Sequence, residues 1–120
     1  MFGWRSKPET PAPEKQERKF PDLAELRNQE LAVLFKHSPS CGVSWAAESQ
    51  VKKFAAQHPE VPVYTIHVRQ DRELSRQIAD FTHIRHESPQ VIILRHGKAV
   101  ADASHQDVTA DFLTEATQNH

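Results

Sequence analysis

The chain contains a single cysteine, Cys41, followed three residues later by a serine in Cys41-Gly42-Val43-Ser44. In a C-x-x-C pair the second thiol displaces a mixed disulfide from within the same chain. Ser44 stands in that place, and a hydroxyl can donate a hydrogen bond to a thiolate but cannot be oxidised to a disulfide. The chemistry open to this pattern is monothiol exchange: Cys41 attacks a mixed disulfide, carries away the small thiol and is freed by an external one. The nucleophile in such a step is the thiolate. A free thiol with a pKa of about 8.5 is only ~3% ionised at neutral pH, whereas cysteines at helix starts fall to roughly 3.5–7.5. Each pH unit of depression favours the thiolate by about 1.4 kcal/mol. The competing reading is that a lone cysteine in a helix is a small buried hydrophobe. Placement in the loop His37-Ser38-Pro39-Ser40, after an apolar strand and at a helix start, weighs toward the thiolate, because free backbone amides and the helix dipole both favour an anion there.

The elements that must position this cysteine are legible in the apolar spacing. Leu23 and Leu26 mark a short helix over Asp22 to Arg27, after Pro21. Leu31-Ala32-Val33-Leu34-Phe35 is a strand-length apolar run suited to burial on both faces. Val43, Ala47, Val51 and Phe54 fall on one stripe of a helix reaching to about His58, with Pro59 and Pro62 bracketing the break. Val63 to Val68 reads as a second strand. Asp71 is a candidate N-cap for a helix whose face is Leu74, Ile78 and Phe81. Val91-Ile92-Ile93-Leu94 is the most hydrophobic stretch and predicts a central strand. His96-Gly97-Lys98 turns the chain into a weaker strand ending at Ala103, and Val108, Phe112, Leu113 and Ala116 close with a helix. The helical crossover requires parallel strands and the short turn requires antiparallel ones. A mixed four-stranded sheet with helices on both faces meets both demands. The expected fold class is therefore α/β, a thioredoxin-like three-layer α/β/α arrangement.

In a fold of that type a proline just before the central strand is cis and faces the reactive cysteine. His86-Glu87-Ser88-Pro89-Gln90 puts Pro89 at that point. X-Pro is the peptide type for which cis costs only about 0.5–1 kcal/mol. The Ser88 backbone would then turn toward the thiol and pair with an extended substrate segment. The alternative is an ordinary trans proline opening a strand. Lys36 and His37 precede the cysteine loop, and a cation there would depress the thiol pKa, although Lys36 at a strand end can equally point to solvent. Arg69 and Arg72 flank the start of the third helix and are candidates for an anionic ligand.

The blocks Phe35-Lys36-His37-Ser38, Ser40-Cys41-Gly42-Val43-Ser44, His86-Glu87-Ser88-Pro89-Gln90, Gly97-Lys98 and Ser104-His105 occur in this order. They resemble the monothiol bacilliredoxin (YtxJ-like) family across roughly residues 22 to 115. The resemblance implies a thioredoxin-like protein similar in role to a monothiol glutaredoxin but serving bacillithiol, a low-molecular-weight cytosolic thiol. It implies that Cys41 attacks and carries S-bacillithiol, with Ser44 beside it. Substrate contacts would come from Ser40, Gly42, Val43, Ser88, Pro89, His37, His86 and His105. It further implies S-bacillithiolated proteins as partners, bacillithiol as co-substrate and no tightly bound cofactor. One departure is Gly42, where the family pattern Thr-Cys-Pro-Ile-Ser has proline. Glycine loosens the first helical turn and adds an amide donor near the sulfur.

Composition bounds the rest. The 120 residues carry 15 Lys plus Arg against 16 Asp plus Glu, a balance that gives no reason to expect nucleic acid or an anionic membrane as partner. No apolar run approaches the ~20 residues of a membrane span, and the first residues lead into no apolar signal region. With one cysteine no intramolecular disulfide forms, and a reducing cytoplasm is the expected compartment. Residues 1–19, with Pro8, Pro11 and Pro13 among charged groups, are expected to form a flexible tail in which Phe2 and Trp4 are the apolar exceptions. The thioredoxin-like domain is placed at 20–120. Eight histidines invite a mixed metal site from Cys41, His37, His83 and His86, but His83-x-x-His86 straddles a helix end and no metal is expected. The functional alternatives to thiol exchange are a non-catalytic thioredoxin-fold binding or redox-sensing module and, more distantly, an iron–sulfur role.

Overall fold

The computed structural model describes residues 20–40 and 42–119. The expected tail over 1–19 and Cys41 itself lie outside the described residues. The order is α1 (Leu23–Leu26), β1 (Ala32–His37), α2 (Gly42–Gln57), β2 (Val63–His67), α3 (Arg72–Thr82), β3 (Gln90–Arg95), β4 (Lys98–Ser104), a 3-10 turn (His105–Asp107) and α4 (Ala110–Asn119). The four strands form one sheet in the order β2-β1-β3-β4. β1 runs parallel to β2 and antiparallel to β3, and β3 runs antiparallel to β4. This is the mixed α/β sheet that the connection lengths demand. No helix among the described residues is long and apolar enough to cross a membrane.

Strand periodicity sorts the core into two layers. Val33 and Phe35 of β1, with Val91 and Ile93 of β3, face Ala47, Val51 and Phe54 of α2 and Leu113 and Ala116 of α4. Ala32 and Leu34, with Ile92 and Leu94 and with Tyr64 and Ile66 of β2, face the opposite way onto Leu26 of α1 and Ile78 of α3. β1 and β3 are covered on both faces, which is why both read as unbroken apolar runs. β2, at one edge, alternates half-buried and buried residues.

Local chemistry sets the boundaries. Asp22 caps α1 by accepting from the Glu25 amide (3.0 Å), and Thr109 Oγ1 caps α4 by accepting from the Phe112 amide (3.0 Å). Asp71 holds the N-cap position of α3, as its sequence context predicts, but its side chain makes no capping bond. His83 ends α3 in the left-handed region with φ 62°. The β3–β4 hairpin turns on His96 and Gly97, with φ of 51° and 81°, the positive-φ pair of a two-residue turn. A Cβ on Gly97 would approach Arg27 Cγ to 2.8 Å, so glycine is required there on two counts.

β1 is longer than its apolar run. Lys36 and His37 continue the ladder, pairing with Ile66 and His67 of β2, and Lys36 also pairs with Gln90 of β3. Two polar side chains hide this extension from any reading based on hydrophobicity.

Candidate active site

The topology gathers one set of strand ends. β1 and β2 finish side by side at His37 and His67, β3 starts at Gln90 opposite Lys36, and β4 finishes at Ser104 opposite Gln90. The Ser38–Ser40 loop and the start of α2 rise from this edge. α2 opens at Gly42, the residue after Cys41 in the sequence. The amides of its first turn have no partner within the helix, and they carry the positive end of a dipole summed over 16 residues.

Two consecutive residues at the end of β1 reach opposite faces, as strand geometry requires. His37, 1% exposed, points under α2. Its Nδ1 lies 2.8 Å from Ser44 Oγ, and its Nε2 lies 3.7 Å from the Glu48 carboxylate. The ring stacks on Phe35 and meets Trp45 and His67 edge-on. Ser44 Oγ also accepts from the Ser38 amide (2.9 Å). A carboxylate only accepts, so Glu48 favours the proton on His37 Nε2. Nδ1 is then an acceptor, and the Ser44 hydroxyl donates to it. Ser44 is fully buried and ties the entry of the cysteine loop to the sheet. Among the described residues, the Ser44 hydroxyl bonds to His37 and Ser38. Ser44 also replaces Val43 as first member of the buried α2 stripe, which runs Ser44, Ala47, Val51, Phe54.

Lys36 points the other way, under α3. Of its two sequence readings, the one that turns it to solvent is corrected: it is 0% exposed. It shares the parity of Ala32 and Leu34, so the pleat drives it into the α3 layer. Its Nζ donates to the Ser75 carbonyl (3.1 Å) and lies 3.0 Å from His86 Nδ1. Burial lowers its pKa from 10.5 to about 8. His86 is pushed down as well, first by desolvation and then by the Lys36 charge. Because an ammonium has no lone pair, His86 Nδ1 accepts, and the neutral ring carries its proton on Nε2.

The remaining residues complete the edge. The Ser88–Pro89 peptide is cis, Pro89 is buried, and its carbonyl accepts from the His105 amide (2.9 Å). The His105 ring is half-exposed and faces Glu87, with Nε2 3.4 Å from Oε1. Arg69, leaving β2, donates from Nη1 to Ser40 Oγ (3.1 Å) and so reaches the residue before Cys41. Arg72 is exposed at the first position of α3. Gly42 is exposed, and a Cβ built on it meets nothing within 4 Å. Val43 is half-buried in the first turn. Of the histidines weighed for a metal, His83 caps α3 and His86 holds Lys36. Among the described residues no group of three or more His, Cys, Asp or Glu is placed to hold an ion.

Sequence reasoning missed Glu48 and Ser75. Glu48 lies four residues after Ser44 and so shares its helix face, a signal present in the spacing. Ser75 contributes a backbone carbonyl, and no residue-type pattern marks that.

Comparison with known proteins agrees with this arrangement. A family model described as monothiol bacilliredoxin BrxC matches residues 14–113. A solved structure described as "a putative oxidoreductase with a thioredoxin fold" is 32% identical, covers 76% of this chain and 80% of its own, and superposes with a TM-score of 0.71. A Nicotiana alata thioredoxin shares the fold at 17% identity, over 82% of this chain and 80% of that one, with a TM-score of 0.67. Fasciola hepatica thioredoxin does so at 22% identity, over 80% and 86%, with a TM-score of 0.63.

Proposed function

The chain belongs to the monothiol bacilliredoxin family, and from that premise we propose that it removes bacillithiol from S-bacillithiolated protein cysteines through a mixed disulfide on Cys41. Membership places it among the thioredoxin-fold proteins of thiol redox chemistry. The substrate and the route are the proposal. In the first step the Cys41 thiolate attacks the bacillithiol sulfur. The substrate's S–S bond breaks, the protein cysteine leaves as a thiolate and takes up a proton, and Cys41–S–S–bacillithiol forms. In the second step the thiolate of a low-molecular-weight thiol attacks that disulfide, takes bacillithiol away as a small disulfide and frees Cys41. Sulfur and electron counts balance with no further oxidant or reductant.

The observation that carries this reading is the start of α2 at Gly42, directly after the only cysteine of the chain. It puts free helix amides within a residue of the sulfur in the sequence. The inward engagement of Ser44 with His37 and Ser38 supports the monothiol route, since the resolving position serves the loop's architecture. Arg69 on Ser40 adds a cation beside the loop and suits an anionic co-substrate. The reducing cytoplasm suits such chemistry and belongs to the same proposal.

The test is release of bacillithiol from a modified protein. Cys41→Ser is expected to abolish it, and Ser44→Ala to leave much of it. Alkylation of Cys41 as a function of pH is expected to give a thiol pKa below neutrality. A value at or above about 8.5 would favour a non-catalytic binding or sensing module instead.

A further inference from the structure

We propose that His86, held by Lys36, is the proton donor to the thiolate that leaves when Cys41 attacks a disulfide. The inference rests on the exchange reaction proposed above and assigns one of its steps.

The argument begins with the end of β1. Lys36 lies two residues before the loop that carries Cys41, and its side chain is enclosed between the sheet and α3. Such an ammonium would ordinarily sit beside a carboxylate. Here its hydrogen-bond partners are a helix carbonyl, Ser75 O, and a neutral imidazole, His86 Nδ1. The charged groups near His86 are Lys36 from β1 and its chain neighbour Glu87, and the Glu87 carboxylate is turned to His105. His86 itself is exposed, three residues before Pro89, in the segment leading into β3 at the edge where the cysteine loop rises.

This geometry fixes the tautomer. With Nδ1 accepting from the ammonium, the single ring proton sits on Nε2, on an exposed ring. A proton can then pass in two linked moves. The Nε2 proton goes to the departing sulfur, and a Lys36 Nζ proton goes to Nδ1. The leaving group ends as a thiol, His86 as its other neutral tautomer and Lys36 as a neutral amine. Nζ is sealed from solvent, so the site resets by the same path: Nε2 takes a proton from water and Nδ1 returns one to Nζ. Lys36 is a positioning and proton-supplying residue acting through His86. Burial brings its ionisation near that of an ordinary cysteine, so the transfer is close to balanced in either direction.

The experiment compares two disulfides in single-turnover reaction with the full chain, reading modification of Cys41 by intact mass. Bis(2-hydroxyethyl) disulfide expels an alkyl thiolate that needs a proton. 5,5′-Dithiobis(2-nitrobenzoate) expels a much more acidic aromatic thiolate that does not. His86→Gln keeps a hydrogen-bond donor but has no proton to relay. Lys36→Met removes the supply. With each rate corrected for the Cys41 thiolate fraction read by pH-dependent alkylation, both variants are expected to slow about 10–100-fold more with the alkyl disulfide than with the aromatic one. Equal slowing of both disulfides would mean that the pair merely shapes the loop and would overturn the inference, as would no slowing of either. If the wild-type chain exchanged with neither disulfide while Cys41 alkylated normally, the underlying reaction would fall, and the inference with it.

Discussion

The His37 imidazole and the Ser44 hydroxyl meet at 2.8 Å in the buried layer beneath α2, and the same hydroxyl accepts the Ser38 amide at 2.9 Å. One side chain therefore joins the end of β1, the start of the cysteine loop and the first turn of the helix that follows. In a chain with one thiol, the position that would hold a resolving cysteine has become a structural clasp.

That clasp has a measurable strength. Ser44→Ala leaves the Ser38 amide and His37 Nδ1 without their shared partner in a dry site, at a cost of about 1–3 kcal/mol. The urea midpoint should fall accordingly with an unchanged slope, while the thiol of Cys41 still exchanges. An unaltered midpoint would show that the hydroxyl holds nothing.

The buried Lys36 gives a second prediction. Its two partners can be satisfied without it, because the Ser75 carbonyl lies within a helix and His86 is exposed. Lys36→Met should therefore stabilise the protein at pH 7 by about 1–4 kcal/mol. The pH dependence follows from a pKa lowered from 10.5 to about 8. Below pH 8 the lysine is charged in both folded and unfolded chains, so the burial penalty is fully present. Between about 8 and 10.5 the unfolded chain binds the extra proton, and wild-type stability rises with pH. The advantage of Lys36→Met should thus shrink across that window in paired denaturation curves. An advantage that grew with pH would contradict the burial.

Gly42 supplies a third. It is the first residue of α2, and a Cβ there meets open space. Proline suits the first helical position, where its fixed φ fits and its missing N–H is not needed by the helix. Gly42→Pro should raise stability by about 0.4–1 kcal/mol, through loss of unfolded-state freedom, and raise the thiol pKa of Cys41 by removing one nearby amide. Calorimetry and pH-dependent alkylation read the two effects separately. A lower melting temperature would show that the first turn needs glycine.

The layers and strand order follow from patterns visible in the chain: unbroken apolar runs for β1 and β3, a 3.6-residue stripe for α2 and a glycine turn between β3 and β4. The chemistry of the edge was less visible, for identifiable reasons. Lys36 and His37 look like a strand's polar terminus, yet each is buried because the ladder continues through them and the pleat directs one to each face. The part Ser44 plays in the fold was hidden because motif spacing counts residues and carries no direction. Its membership of the buried α2 stripe, three residues before Ala47, is the periodic signal that it points inward. The Lys36–His86 contact joins residues 50 apart, and nothing local in the sequence marks it.

The central claim is tested most directly by following one sulfur adduct. Reduced protein is mixed with an S-bacillithiolated substrate without added thiol, and both chains are weighed and peptide-mapped over time. The expected result is loss of one bacillithiol from the substrate, matched by its gain on the Cys41 peptide, with no transfer to Cys41→Ser. A substrate that keeps its adduct while Cys41 stays free would contradict the account.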